Sequence, residues 1–309
     1  MTRNRFKENF LSYFLLSPFL MVFAVFLAYP VVYSFWLSLH KTTIYTSWYS
    51  PFDDMKFIGI QHYIGLLSDP EIWWSLLLTF VYGALTIPTG IMLSLLLAVL
   101  LNNQIRFKSF FRSAYFLPNV LDLLVIGIIW ILIFSPKYGL VDYGLRKIGI
   151  ENAFRDGILG SPWTCLPAIA FAMVLKGAGF GMILFLTAIQ NISQSVYEAA
   201  DIDGANAWHK FWNITVPLVK PIILFMVITG TIACLTAFTE VYAMTTNTGG
   251  PTIQVGQNAF KAANLAGYHL YHSFEEGYYG KAAAFSFILL GIALIISYIN
   301  IKVLKSDSQ

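Results

Sequence analysis

The sequence predicts an all-α integral membrane protein with six transmembrane helices, and three observations carry that reading. Of 309 residues, 57% are hydrophobic and 11% charged, whereas a soluble globular chain carries about a quarter charged residues. The mean hydropathy is +0.67. Six apolar runs each reach the ~20 residues a helix needs to cross a bilayer core. The same composition argues against a soluble enzyme, a nucleic-acid binder or a disordered tail, and a net charge of +3 implies no polyanionic partner. Cys165 and Cys234 both fall inside apolar runs, which suggests neither a disulfide framework nor a zinc site.

The runs cover residues 11–39, 73–101, 113–134, 163–190, 219–245 and 281–301. Several exceed the minimum, so tilted or interfacial ends are expected. Pro18, Pro30, Pro88, Pro118, Pro167 and Pro221 sit in or at the edges of these runs; lipid tolerates such breaks where neighbouring helices satisfy the freed carbonyls. The first run follows Arg3, Arg5 and Lys7 but is too long for a signal-peptide core, so it reads as a retained signal-anchor.

Basic residues set the orientation. Placing the N-terminus in the cytoplasm puts segments 1–10, 102–112, 191–220 and 302–309 inside, with ten Lys/Arg in 59 residues against eight in 97 outside. That bias is the positive-inside rule, so both termini are expected in the cytoplasm. Trp48, Tyr49, Trp163, Tyr268, Tyr271, Tyr278 and Tyr279 in the outer segments read as an interfacial aromatic belt, with contact to a sugar or a docking protein as the second reading.

The inner segment 191–218, NISQSVYEAADIDGANAWHKFWNITVPL, is no simple connector. Ser195 with Glu198 fits a capping box, predicting a short helix over about 196–203 that Gly204 closes in the left-handed conformation. A second helical turn over 205–212 is expected to end before Pro217. Tyr197, Trp208, Phe211 and Trp212 give the pair an apolar surface outside the bilayer, which calls for a covering partner. The acidic first helix (Glu198, Asp201, Asp203) suits an anionic inner leaflet poorly.

At this point the chain resembles a known family. Glu198-Ala199-Ala200, three residues, Gly204, nine residues, Ile214, one residue and Val216-Pro217 match the EAA loop of ABC importer permeases. The one departure is Val216, where that family usually has Leu. Residues 17–39, 57–70, 110–120 and the TNTGGP string at 246–251 resemble the first of two permeases in carbohydrate and glycerol-phosphate systems. The resemblance implies a type I importer fold in a bacterial cell membrane. It implies a heterodimer with a second permease, two separate ATPase subunits that hold ATP and magnesium, and an extracytoplasmic solute-binding protein. No nucleic acid and no cofactor on this chain are implied. By position, Glu198, Ala199, Ala200, Asp203, Gly204 and Pro217 would couple the permease to its ATPase.

Three charges fall inside the spans: Asp122, Lys176 and Glu240. A lysine at the centre of a span costs about 2.5–3.5 kcal/mol on insertion scales, so such groups either pair or line a path. The resemblance places sugar between the helices flanking the loop, here along Lys176, Gly177, Phe180, Leu235, Thr236, Thr239 and Glu240. Two other readings stay open. An ion-coupled secondary sugar transporter would use Lys176, Glu240 or Asp122, and should show inverted repeats, which are not evident. A metal-dependent membrane transferase would use Asp201 and Asp203.

Gly177, Gly179 and Gly181 form GxGxG without a preceding strand, so close helix packing or a bend is the better account. No phosphate-binding G-x-x-x-x-G-K-[ST] string occurs. His269 and His272 lie in an aromatic segment with no third ligand nearby and read as loop structure. No catalytic nucleophile–His–acid set and no metal site stand out.

Overall fold

The computed structural model describes residues 2–42, 55–103, 106–136, 138–149 and 156–306; Trp48 and Tyr49 lie outside them. The chain divides into two compact units, Met1–Asp69 with Leu270–Leu290, and Pro70–His269 with Gly291–Gln309.

The first unit opens with a continuous rod: α1 (Thr2–Phe23), a π-helical turn over Ala24–Ala28, and α2 (Tyr29–Ser38). Its apolar stretch Tyr13–Ser38 is long enough to span a membrane and is exposed along its most apolar window, packing at its end, where Phe35 meets Phe287 and Ser38 bonds Tyr63. The π turn has a sequence cause. Pro30 would clash with the carbonyl four residues earlier in a regular helix, and the wide turn, closed by Tyr29 N–H to Ala24 O, relieves that clash. Strands β1 (His40–Lys41) and β2 (Lys56–Phe57) pair antiparallel ahead of α3 (Gln61–Ser68). Gly280 N–H donates to Thr42 Oγ1 (2.8 Å), and Lys281 pairs with Asp69 (3.0 Å).

The second unit is built on α4 (Pro70–Asn102), followed by α5 (Lys108–Val120), α6 (Leu123–Phe134), α7 (Leu140–Lys147) and α8 (Pro162–Gln190). Helices α4 and α8 pack along their length and hold two buried clusters. One gathers Leu78, Tyr82, Cys165, Ile169, Ala172 and Val241. The other gathers Leu95, Ala98, Leu101, Met182, Phe185 and Val219.

Two expected spans are broken. The third turns by 102° between α5 and α6. Asp122, expected as an intramembrane charge, instead caps α6: its carboxylate accepts from Leu124 N–H (2.8 Å), which restarts the helix in a new direction. The fifth begins as α12 (Lys220–Leu235), stops at Thr236–Phe238 and resumes as α13 (Thr239–Met244). Such irregular backbone at membrane depth is tolerated where protein covers it or a cavity opens on it. Gly267 covers it here, since a Cβ at Gly267 would lie 2.6 Å from the carbonyl carbon of Thr236.

Ahead of α12 lie α9 (Gln194–Ile202), α10 (Ala207–Lys210), a second π turn (Phe211–Thr215) and α11 (Val216–Leu218). The helix does not end before Pro217 as the sequence suggests. The same device operates as at Pro30: a π turn ends two residues before the proline, with Val216 N–H reaching Phe211 O.

Beyond α13, strands β3 (Thr252–Val255) and β4 (Asn258–Lys261) form a hairpin that the helical pattern did not foretell. Trp74 anchors it by stacking on Phe260 (5.0 Å) and donating from Nε1 to Lys261 O (3.0 Å). Helices α14 (Ala266–Glu275) and α15 (Tyr279–Ser306) complete the chain. His269 and His272 therefore sit on a helix, not in a loop. Tyr268 is buried, its hydroxyl donating to Asn247 Oδ1 (3.1 Å), so it leaves the expected aromatic belt. Trp163 and Tyr278 are exposed.

Candidate functional site

Between the two buried clusters, α4, α8 and α12 fail to close. Along each helix, residues of one cluster give way to cavity-lining residues and then to the other cluster. The resulting cavity is about 370 Å³, at the small end of ligand sites.

Glycine makes part of that space. A Cβ at Gly177 or Gly90 would meet nothing within 4 Å, and both residues line the cavity. The neighbouring glycines of the GxGxG string do the opposite. A Cβ at Gly179 would lie 2.0 Å from Tyr115 O, and one at Gly181 2.4 Å from Ser94 Oγ. So α8 uses one glycine to keep an opening and two to bring α5 and α4 close, in keeping with the packing reading.

Lys176, Gly177, Phe180 and Glu240 from the expected path all line the cavity. Leu235, Thr236 and Thr239 do not; Leu235 is buried, and Thr236 turns its hydroxyl back to Ile232 O (3.0 Å). The helix break causes this, because it re-aims the residues that a continuous span would have carried along one face. The break also swings Glu240 inward, where Tyr82 OH donates to its Oε1 (3.2 Å). Lys176 lies within electrostatic reach of that carboxylate. Asp122 takes no part.

Sequence reasoning missed Tyr82, Thr86 and Thr229, which also line the cavity. Polar residues within the apolar runs of α4 and α12 were the available signal. Thr86 and Thr229 satisfy their protons on the preceding turns, at Tyr82 O (2.8 Å) and Phe225 O (2.7 Å). Thr86 Oγ1 also contacts Cys234 Sγ (3.4 Å), while the remaining lone pairs of Thr229 are left to accept from a ligand. The cavity thus offers one ammonium, one carboxylate and several hydroxyls on an apolar frame.

The 194–218 segment forms the second candidate site. Helix α9 starts earlier than the capping box predicts: Ser193 is its N-cap residue, Ser195 Oγ bonds to Ser193 Oγ (2.8 Å), and Glu198 accepts from Gln194 Nε2 (2.9 Å). Ser193 and Gln194 supply polar partners nearer than the expected reciprocal pair, so the Ser195–Glu198 box does not form. The end is as expected. Gly204 has φ +76°, with Ala205 N–H on Ala200 O (2.9 Å) and Gly204 N–H on Asp201 O (3.1 Å), the paired bonds of a Schellman cap.

Asn206 then caps α10 through His209 N–H (2.8 Å). The two short helices are tied by Lys210–Asp201 (2.6 Å) and by Tyr197 OH with Thr215 Oγ1 (3.0 Å). Glu198, Ala199, Asp203, Gly204 and Pro217 are exposed and Ala200 is half-buried. Ile202, Trp208 and Trp212 leave apolar surface uncovered. Behind this surface, Val219 is buried in the cluster formed by α4 and α8, with Phe211 and Val216 packed on the same cluster.

Broken spans around a small cavity that sets a few polar groups on an apolar frame, with a two-helix loop at one end, are the features of a membrane permease. The chain belongs to the family described as binding-protein-dependent transport system inner membrane component, which matches residues 90–303. It is 34% identical to the lactose transport system permease protein LacF of Rhizobium radiobacter, covering 92% of this chain and 90% of that protein. It is 30% identical to the trehalose/maltose transport system permease protein MalF of Thermococcus litoralis, covering 97% and 95%. A solved bacterial ABC transporter that imports the acidic polysaccharide alginate shares the fold, with a TM-score of 0.80 and 21% identity over 100% of this chain and 99% of its counterpart. The chain is thus a multi-pass permease subunit with the type I importer fold.

Proposed function

We propose that the chain forms the saccharide-carrying half of the translocation path in an ATP-driven importer. The observation that carries this reading is the cavity at the α12–α13 break, where Lys176 and Glu240 face one space together with hydroxyls. One positive and one negative charge nearly cancel, which favours a neutral cargo. Ammonium donors, carboxylate acceptors and threonine lone pairs suit a polyol, and the apolar frame suits its C–H faces. The relatives named for lactose and for trehalose/maltose support the same cargo class.

In this reading a second permease completes the path and two ATPase subunits supply the energy, holding ATP and magnesium themselves. One ATPase covers Ile202, Trp208 and Trp212, with Glu198, Ala199, Ala200, Asp203, Gly204 and Pro217 at the joint. An external solute-binding protein delivers cargo at the opposite face; a related alginate transporter has been solved with a periplasmic protein bound to alginate pentasaccharide. Both termini lie in the cytoplasm. ATP binding and the loaded binding protein bias one inward–outward equilibrium from its two ends.

The test is growth and uptake on lactose, maltose and trehalose by cells lacking only this chain, with and without a plasmid copy. Restored uptake of at least one of these sugars by the wild-type copy, and loss with Glu240→Ala, is expected. Uptake unaffected by deleting the chain would overturn the reading.

A further inference from the structure

We infer that a second cavity, at the far end of α13, is a reception site for saccharide on its way to the first. This inference rests on the saccharide reading and the orientation proposed above. The cavity measures about 380 Å³, with Asp156, Leu159, Met244, Thr245, Thr246 and Thr248 among its lining residues. Helix α13 is the wall between the two spaces: Glu240 lines the first and Met244 the second, four residues or about 6 Å apart along the axis. The wall is firmly seated, with Val241 fully buried and Ala243 pressed against Gly127 so closely that a Cβ there would lie 2.4 Å away.

The hydrogen bonds in the lining indicate what it would hold. Thr245 Oγ1 donates to Val241 O (2.7 Å) and accepts from Gly249 N–H (3.2 Å). Thr246 Oγ1 and Thr248 Oγ1 both donate to Thr245 O (2.7 and 2.6 Å). Every threonine proton is therefore committed, and the lining presents threonine lone pairs and the Asp156 carboxylate, with the Ser135 hydroxyl as a side-chain donor beside them. Such a lining takes hydrogen bonds and gives few, which matches the hydroxyl protons of a sugar, while Leu159 and Met244 offer apolar surface for its ring. The turn that presents these groups is tight: Thr246 and Asn247 have φ of 51° and 58°, a left-handed conformation uncommon for threonine and more readily adopted by asparagine.

The experiment uses the assembled importer in liposomes, with Cys165 and Cys234 replaced by alanine and one reporter cysteine per sample. Thr229→Cys reports the first cavity and Thr246→Cys the second; both native threonines are exposed. Thr248→Cys serves if Thr246→Cys does not assemble. The rate of modification by a small methanethiosulfonate is measured with lactose, maltose or trehalose present. The expected result is several-fold slowing at both reporters, with Asp156→Ala abolishing it at 246 and sparing it at 229. Protection at 229 alone overturns the second site and leaves the importer reading standing. Protection at 246 that ignores Asp156→Ala overturns the role given to the carboxylate. Protection at neither position overturns the saccharide reading and this inference with it.

Discussion

Two glycines two residues apart on α8 should respond in opposite ways to one methyl group. A Cβ at Gly179 would stand 2.0 Å from Tyr115 O and 2.5 Å from its carbonyl carbon. Reaching the 3.4 Å at which ordinary contact begins requires a shift of 3.4 − 2.0 = 1.4 Å between α5 and α8. No flexible side chain can absorb it, because the obstacle is backbone. Overpacking of this kind costs about 1–3 kcal/mol, which is a 5- to 150-fold change in an equilibrium. Gly177→Ala meets nothing within 4 Å and gains up to about 1 kcal/mol of helix propensity. In detergent, thermal unfolding followed by size-exclusion should show Gly179→Ala melting well below wild type and Gly177→Ala at or above it. Gly177→Phe should keep the fold and block uptake by filling the cavity. Equal melting of the two alanine variants would refute the packing argument for the GxGxG string.

Other expectations follow from the same geometry. A Cβ at Gly204 would meet nothing within 4 Å, so Gly204→Asp costs only the strain of a left-handed φ of +76°, about 1–2 kcal/mol at an exposed helix end. Insertion should persist while ATP hydrolysis separates from uptake; normal uptake in proteoliposomes would remove the loop from the coupling path. Tyr82→Phe deprives buried Glu240 of its 3.2 Å partner, a loss of about 1–3 kcal/mol; Glu240→Gln should alter that loss in a double-mutant cycle, and strict additivity would contradict the contact. Asp201→Ala removes an ion pair whose carboxylate is 60% exposed, so melting should change by no more than about 1 kcal/mol.

The apolar runs and the loop between α8 and α12 were legible because each rests on local chemistry. Run length reports the solvent, and Gly204 reports a left-handed turn wherever the helix before it begins. What the sequence concealed depends on tertiary placement. Asp122 reads as a buried charge, yet its carboxylate is used to restart a helix. Thr236 and Thr239 read as lining residues on an unbroken span, yet the break at Thr236–Phe238 turns them away and brings in Glu240 with Tyr82, 158 positions apart. Pro217 reads as a stop, yet a π turn lets the helix pass. Each depends on a bend that no hydropathy window records.

The central claim is that this chain carries saccharide only when an ATPase drives it. The most direct measurement purifies the complex through a tag on this chain, reconstitutes it with its solute-binding protein and follows labelled lactose, maltose and trehalose into proteoliposomes. The account predicts accumulation of a sugar that requires internal ATP, persists with a protonophore and fails with Gly204→Asp. Accumulation without ATP that collapses with the protonophore would contradict it, and would recast Lys176 and Glu240 as an ion-coupling pair.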